Sequence, residues 1–207
     1  NGRLEFNMGA TGSTAGIHIS NVSLKKTKEI EITEGDKGIL ADGNYVYNGS
    51  FQEGEGRLAY WEITKNDGAE VSVTNVNNVR RLVINAPEGT SSENPVVISQ
   101  SDLALSAGNT YAMSFTAEGE AGKYIKVRTC GQDFTAELNG SAAEYDYTLA
   151  MNTEPSDTNI AFYIEAPGVY YIDDVRIEED SLIKNGSFNA GFSGYEPYVD
   201  SSISSDV

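Results

Sequence analysis

The sequence predicts an all-β chain folded as an antiparallel sandwich. Three observations carry that expectation. Apolar residues recur with a period of two, turn residues break the chain into short runs, and no stretch holds a helical period over three turns. The abundance of Tyr, Val, Ile, Thr and Gly points the same way, because β-branched and aromatic side chains suit a pleated, half-buried surface.

The runs follow one another along the chain. Tyr111, Met113 and Phe115 alternate with Ala112, Ser114 and Thr116. Ile125 and Val127 alternate with Lys126 and Arg128, and Phe162 and Ile164 with Tyr163 and Glu165. Tyr171, Asp173, Val175 and Ile177 alternate with Ile172, Asp174 and Arg176. Between them lie Ala107-Gly108-Asn109, Glu118-Gly119-Glu120, Asn139-Gly140-Ser141 and Ala166-Pro167-Gly168, which read as turns. Short strands with one apolar face at this spacing predict two stacked antiparallel sheets.

Charge excludes whole classes of partner. The 207 residues carry 14 Lys+Arg against 31 Asp+Glu, a net charge of −17. Such a polyanion repels phosphate backbones and anionic membrane surfaces, so neither nucleic acid nor membrane is expected as a partner. The single cysteine, Cys130, rules out an internal disulfide framework, and the single histidine, His18, rules out multi-histidine metal catalysis. Cys130 reads as a small core or strand-end residue and His18 as structural.

The chain also echoes itself. Asn48-Gly49-Ser50-Phe51 returns as Asn185-Gly186-Ser187-Phe188, an offset of 137 residues. The stretch GVYYIDDVRI (168–177) has a weaker echo in GIHISNVSL (16–24). The expected organisation is a complete module over 43–180, preceded by the last strands of another module (1–27) and a charged linker (28–42). The opening strand of a further module follows (181–207).

These residues carry a family resemblance. In order they are NGSFQEG (48–54), a Trp ten residues after that Phe (Trp61), LALSAGNTYAMSFTAE (103–118) and KYIKVRT (123–129). YDYTLAM (145–151) and NIAFYIEAPGVYYIDDVRI (159–177) complete the series. The segment resembles carbohydrate-binding modules of the family 4, 9, 16 and 22 group. The resemblance implies a jelly-roll β-sandwich, structural calcium, and a concave sheet that binds polysaccharide without catalysis. It also implies a secreted or cell-surface setting beside a glycoside hydrolase. Two positions depart from the family pattern: Gln52 follows the opening Phe where Glu is frequent, and Thr116 stands where many members have Trp.

Within that frame, parity selects the candidate residues. If Met113, Phe115, Ile125, Val127, Phe162 and Ile164 face the core, then Thr116, Tyr124, Lys126, Arg128, Tyr163 and Glu165 share the opposite face. Tyrosine rings stack on sugar C–H faces, and charged groups bind hydroxyls, so this set is the expected glycan platform. Tyr163 and Glu165 resemble a Tyr-x-Glu that family 22 uses for xylan. The plain alternative is an ordinary solvated sheet face. The acidic body favours neutral β-glucan or xylan over acidic polymers.

Asp173 shares the parity of Tyr171, Val175 and Ile177 and is expected on the core side, where a carboxylate must be paired or bind a cation. By the resemblance, the opening loop lies beside the last strand, so Asn48, Gln52, Glu53 and Asp173 form the expected calcium set. The alternative is a carboxylate held by backbone amides. Asp173 and Asp174 are adjacent on a strand and point to opposite faces, so they cannot flank one glycosidic bond, and no catalytic set is expected. Trp61 reads as structural, and Arg80 and Arg81 as cross-strand pairing partners. The competing functional reading is a structural spacer of an extracellular protein that associates with neighbouring modules or copies by strand addition.

Overall fold

A computed structural model describes residue 22 and residues 38–40, 42–76, 79–153 and 157–180. The expected end strands of a preceding module, most of the linker and the opening strand of a following module lie outside the described residues. Val22 apart, the described residues belong to one compact unit, residues 26–180.

Ten strands build it. They are β1 (Glu62–Thr64), β2 (Glu70–Val76), β3 (Val79–Ala86), β4 (Val96–Gln100), β5 (Thr110–Glu118), β6 (Tyr124–Thr129), β7 (Gln132–Glu137), β8 (Ala143–Ala150), β9 (Ile160–Ile164) and β10 (Gly168–Glu179). Two five-stranded sheets result, with strand orders β1-β4-β9-β6-β7 and β2-β3-β10-β5-β8. Every pairing within them is antiparallel. The described elements include no α-helix, only a short 3-10 turn at Glu55–Arg57. This is the expected antiparallel sandwich.

The core lies between the sheets. Ile125, Val127, Phe162 and Ile164 from one sheet meet Met113, Phe115, Leu82, Ile84 and Ile172 from the other, all buried. Phe115 meets Phe162 edge-on across the interface, with ring centroids 5.1 Å apart, a geometry aromatic pairs favour. On the outer strands the Tyr145 and Tyr147 hydroxyls of β8 donate to the backbone carbonyls of Glu137 (2.8 Å) and Thr135 (2.9 Å) on β7. Two hydrogen bonds thus tie one sheet to the other at that edge.

The opening segment lies beside the last strand, as expected. Tyr45 N–H donates to the Ile177 carbonyl (2.8 Å), and Val175 N–H donates to the Gly49 carbonyl (3.0 Å). The approach is so close that a Cβ on Gly49 would lie 2.0 Å from the Val175 oxygen. Asn48 pins the same loop. Its amide nitrogen donates to the carbonyls of Arg57 and Ala59, and its oxygen accepts from the backbone of Gln52 (2.6 Å) and Glu53 (2.9 Å). Phe51 is fully buried against Trp61, whose indole N–H donates to the Asn48 carbonyl. Asn-Gly-Ser-Phe is therefore a structural signature in which Asn48 is the pin, Gly49 the close approach and Phe51 the anchor, and Trp61 is structural as expected.

The last strand departs from simple alternation. Asp173 pairs with Thr116, but Arg176 pairs with Ser114, so β10 holds one residue more than β5 over this stretch. Asp174 has φ 49°, the left-handed conformation of a bulge residue. Val175 and Ile177 are buried, while Tyr171 and Asp173, on the other side of the bulge, lie on the outer face with Arg81 and Thr116. The expectation that Asp173 shares a face with Val175 and Ile177 is corrected: the extra residue reverses parity between them.

Candidate functional site

The outer face of the β1-β4-β9-β6-β7 sheet gathers most of the expected platform. Across all five strands, cross-strand partners run Thr64, Val97, Tyr163, Lys126, Thr135. At strand spacing this row is roughly 19 Å long. A second row runs Glu62, Ser99, Ala161, Arg128, Asp133. Tyr124 stands beside Lys126 on the same face of β6, and Glu165 follows Tyr163 at the end of β9.

Charge pairs order the face. Lys126 Nζ lies 2.5 Å from Glu165 Oε2, and the Glu165 side chain is only 10% exposed. The carboxylate so close holds the Lys126 ammonium above its ordinary pKa. Arg128 grips Asp133 with two bonds, Nε to Oδ1 at 2.7 Å and Nη2 to Oδ2 at 3.1 Å. The same contact holds the Asp133 carboxyl below its usual range. Both cations also lean on tyrosines, Arg128 at 5.7 Å from the Tyr163 ring centre and Lys126 at 5.9 Å from that of Tyr124, within reach of a cation–π attraction. The face thus carries two ring platforms flanked by donors and acceptors in fixed positions.

Thr116 is not part of it. It sits on β5, in the other sheet, opposite Asp173 and Glu144. Parity assigns a side chain to the inside or the outside of its own sheet; it does not say which sheet a strand joins. Sequence reasoning also missed Asp133, Thr135, Val97 and Thr64. The alternation in QDFTAE (132–137) carries a signal for the β7 pair, while β1 has only three residues and shows none.

The outer face of the second sheet holds a different cluster. Arg81 lies over the Tyr171 ring, 4.0 Å from its centre, and pairs with Glu118 at 2.5 Å, the cross-strand role expected of it. Asp173 stands beside them. Its Oδ1 is closed off from solvent and has no hydrogen-bond partner among the described residues. Desolvation pushes its pKa up to about 6, against the opposing pull of Arg81 and of a backbone hydrogen bond.

The four residues expected to hold calcium do not form one oxygen cage. Asn48 uses its amide on the loop backbone. Gln52 donates to the Ser50 carbonyl and accepts from the Arg80 guanidinium, a cation already in place. Asp173 lies on the outer sheet face with Arg81 and Thr116, which leaves the Glu53 carboxylate as the sole anion of the set in the loop. Among the described residues no three His, Cys, Asp or Glu side chains gather in one metal-holding group. The donor set present therefore does not fit calcium at these positions. Cys130 heads the β6–β7 turn with φ 48°, followed by Gly131 at φ 74°, and burial pushes its thiol pKa up.

Comparison with known proteins fits this architecture. Residues 43–170 match the family model of a carbohydrate binding domain, CBM_4_9, and the chain belongs to that family. Domains of this family are generally non-catalytic. No curated protein matches the chain. Among solved structures, the enzymatically active domain of bacteriophage CBA120 tailspike protein 4 superposes with a TM-score of 0.53 at 16% identity, over 67% of this chain and 22% of that one. The chain thus spans about a fifth of the tailspike domain. The N-terminal cellulose-binding domain of Cellulomonas fimi β-1,4-glucanase C aligns at 18% identity and TM-score 0.48, over 66% of this chain and 97% of that one. TmCBM61 in complex with beta-1,4-galactotriose aligns at 18% identity and TM-score 0.48, over 66% and 99%.

Proposed function

We propose that the outer face of the β1-β4-β9-β6-β7 sheet binds a neutral polysaccharide, β-glucan or xylan, as a non-catalytic module of a secreted or cell-surface protein. The observation that carries this reading is the five-strand row through Tyr163 and Lys126 in a member of a carbohydrate-binding family. Tyr163 and Tyr124 offer ring faces, while Lys126, Arg128, Glu165 and Asp133 offer hydroxyl partners. A shallow face with two rings implies a Kd of roughly 1–100 μM. Affinity electrophoresis of the full chain against glucans, xylans and mannans tests it. Retardation by a glucan or xylan is expected, weakened about tenfold or more by Tyr163→Ala, since a lost ring contact is worth over a kcal/mol, and unchanged by Thr116→Ala. Free migration in every gel sinks the proposal.

One observation favours the spacer reading. Arg128 and Lys126 lean on the two tyrosine rings and compete with a sugar for them. A spacer that assembles by strand addition grows in mass with concentration, which light scattering reads, and it binds none of the polymers.

A further inference from the structure

A second polar hollow lies away from that face. It has a volume of about 480 Å³ and is lined by Lys65, Asn66, Asp67, Glu88, Gly89 and Asn94. These residues belong to two loops at one end of the sandwich, between β1 and β2 and between β3 and β4. None of the platform residues is among them.

The hollow is built in advance of any occupant. Asn66 Nδ2 reaches across from the first loop to donate to Thr90 Oγ1 (3.0 Å) and to the Asn94 carbonyl (2.8 Å). Thr90 is buried, and its hydroxyl donates to the Pro87 carbonyl (2.8 Å). Ser91 and Asn94 pair through their backbones and close the second loop. Gly89, at φ 95°, brings bare backbone to the wall, with nothing within 4 Å of where a Cβ would stand. With both loops fixed, the carboxamide oxygen of Asn66 is closed off from solvent and has no donor among the described residues. That oxygen lies behind the wall, so the groups an occupant meets are the exposed Lys65, Asp67, Glu88 and Asn94.

The lining decides the chemistry of the occupant. Lys65, Asp67 and Glu88 are exposed and make no ion pair with one another or with any other described residue. An ammonium group supplies three donors, two carboxylates supply acceptors, and Asn94 supplies both. An apolar guest finds little apolar surface here, and the ammonium of Lys65 opposes a metal ion. Each hydroxyl of a sugar both donates and accepts, which matches this mixture. The volume lies within the range of small-molecule sites, roughly 300–1,000 Å³. We propose that the hollow is a second binding site, independent of the sheet face, that takes a single neutral sugar unit such as a chain end or a branch.

Spectra of the ¹⁵N-labelled full chain, titrated separately with glucose, galactose, mannose, xylose and calcium chloride, test this. At least one sugar is expected to shift the amides of residues 65–68 and 88–94 in a saturable way. The Asp67→Asn/Glu88→Gln double variant weakens that response about tenfold or more, as loss of charge-assisted hydrogen bonds demands. Lys65→Gln, which removes only the ammonium, weakens it as well. Absence of a saturable response to all four sugars overturns the proposal, as does unchanged affinity in both variants. Saturation by calcium chloride alone overturns it in favour of a cation. Shifts confined to β6 and β9 overturn it too, while leaving the proposal for the sheet face intact.

Discussion

Asn48 and Gly49 are fixed by the meeting of the opening loop with the last strand, and Asp173 by the outer sheet face beyond the bulge. A methyl group on Gly49 meets the Val175 carbonyl, a backbone atom that cannot swing aside. Gly49→Ala is expected to lower stability by about 2 kcal/mol or more, while Ser50→Ala, exposed next door, stays within about 0.5 kcal/mol. Urea denaturation of the two variants reads the difference. Asp173 poses the opposite case, a carboxyl that its surroundings disfavour as an anion. Its folded-state pKa, about 6, lies above the ordinary value of 3.8. Between those values the unfolded chain releases the proton first, so stability falls as pH rises from about 4 to about 6 and stays low above that. Asp173→Asn removes this dependence. It is expected to stabilise the protein at pH 8 by about 1 kcal/mol, a figure reduced from the full shift because the residue is only partly buried, and to have little effect at pH 4. Thermal melts from pH 4 to pH 8 that show equal gains throughout contradict the assignment.

At the scale of strands, the long runs were legible and the joints were not. The alternation around Tyr111–Thr116, Ile125–Arg128 and Phe162–Glu165 translates directly into β5, β6 and β9, because each has one face against the core. β1 was invisible, since three residues cannot display a period. The bulge in β10 was invisible for a different reason. The run Tyr171 to Ile177 alternates without a break in sequence, and only the pairing with β5 shows that one residue goes unmatched. Thr116 was misplaced because its strand and β6 follow each other in the chain yet lie in different sheets. The same limit hid the cross-sheet role of β8. Tyr145 and Tyr147 stack on Phe115 and donate across the edge to β7. Tyr145→Phe and Tyr147→Phe each retain the ring and remove one hydrogen bond, at an expected cost of about 1 kcal/mol. Amide exchange along β7 should quicken in the double variant; exchange at the native rate there would mean that the two hydroxyls do not hold the edge.

At the scale of the whole molecule, electrostatics separates neutral from acidic polymers. The chain carries a net charge of −17, and a charged polymer meets that field before it meets any side chain. The candidate face is more balanced, since Lys126 pairs with Glu165 and Arg128 with Asp133. A neutral glucan or xylan feels neither the global field nor a net local one. Its retardation of the protein is therefore expected to be the same at low and at high salt. Polygalacturonate should be repelled at low ionic strength, where the screening length reaches about 30 Å, and should gain no hold at about 0.15 M, where that length is near 8 Å. Gel retardation across a sodium chloride series distinguishes the cases. Binding to polygalacturonate that is strong at low salt and fades as salt rises would mean that Lys126 and Arg128 leave their carboxylates for a uronic acid. The ligand assignment would then move from neutral polymers to acidic ones, on the same rows of residues.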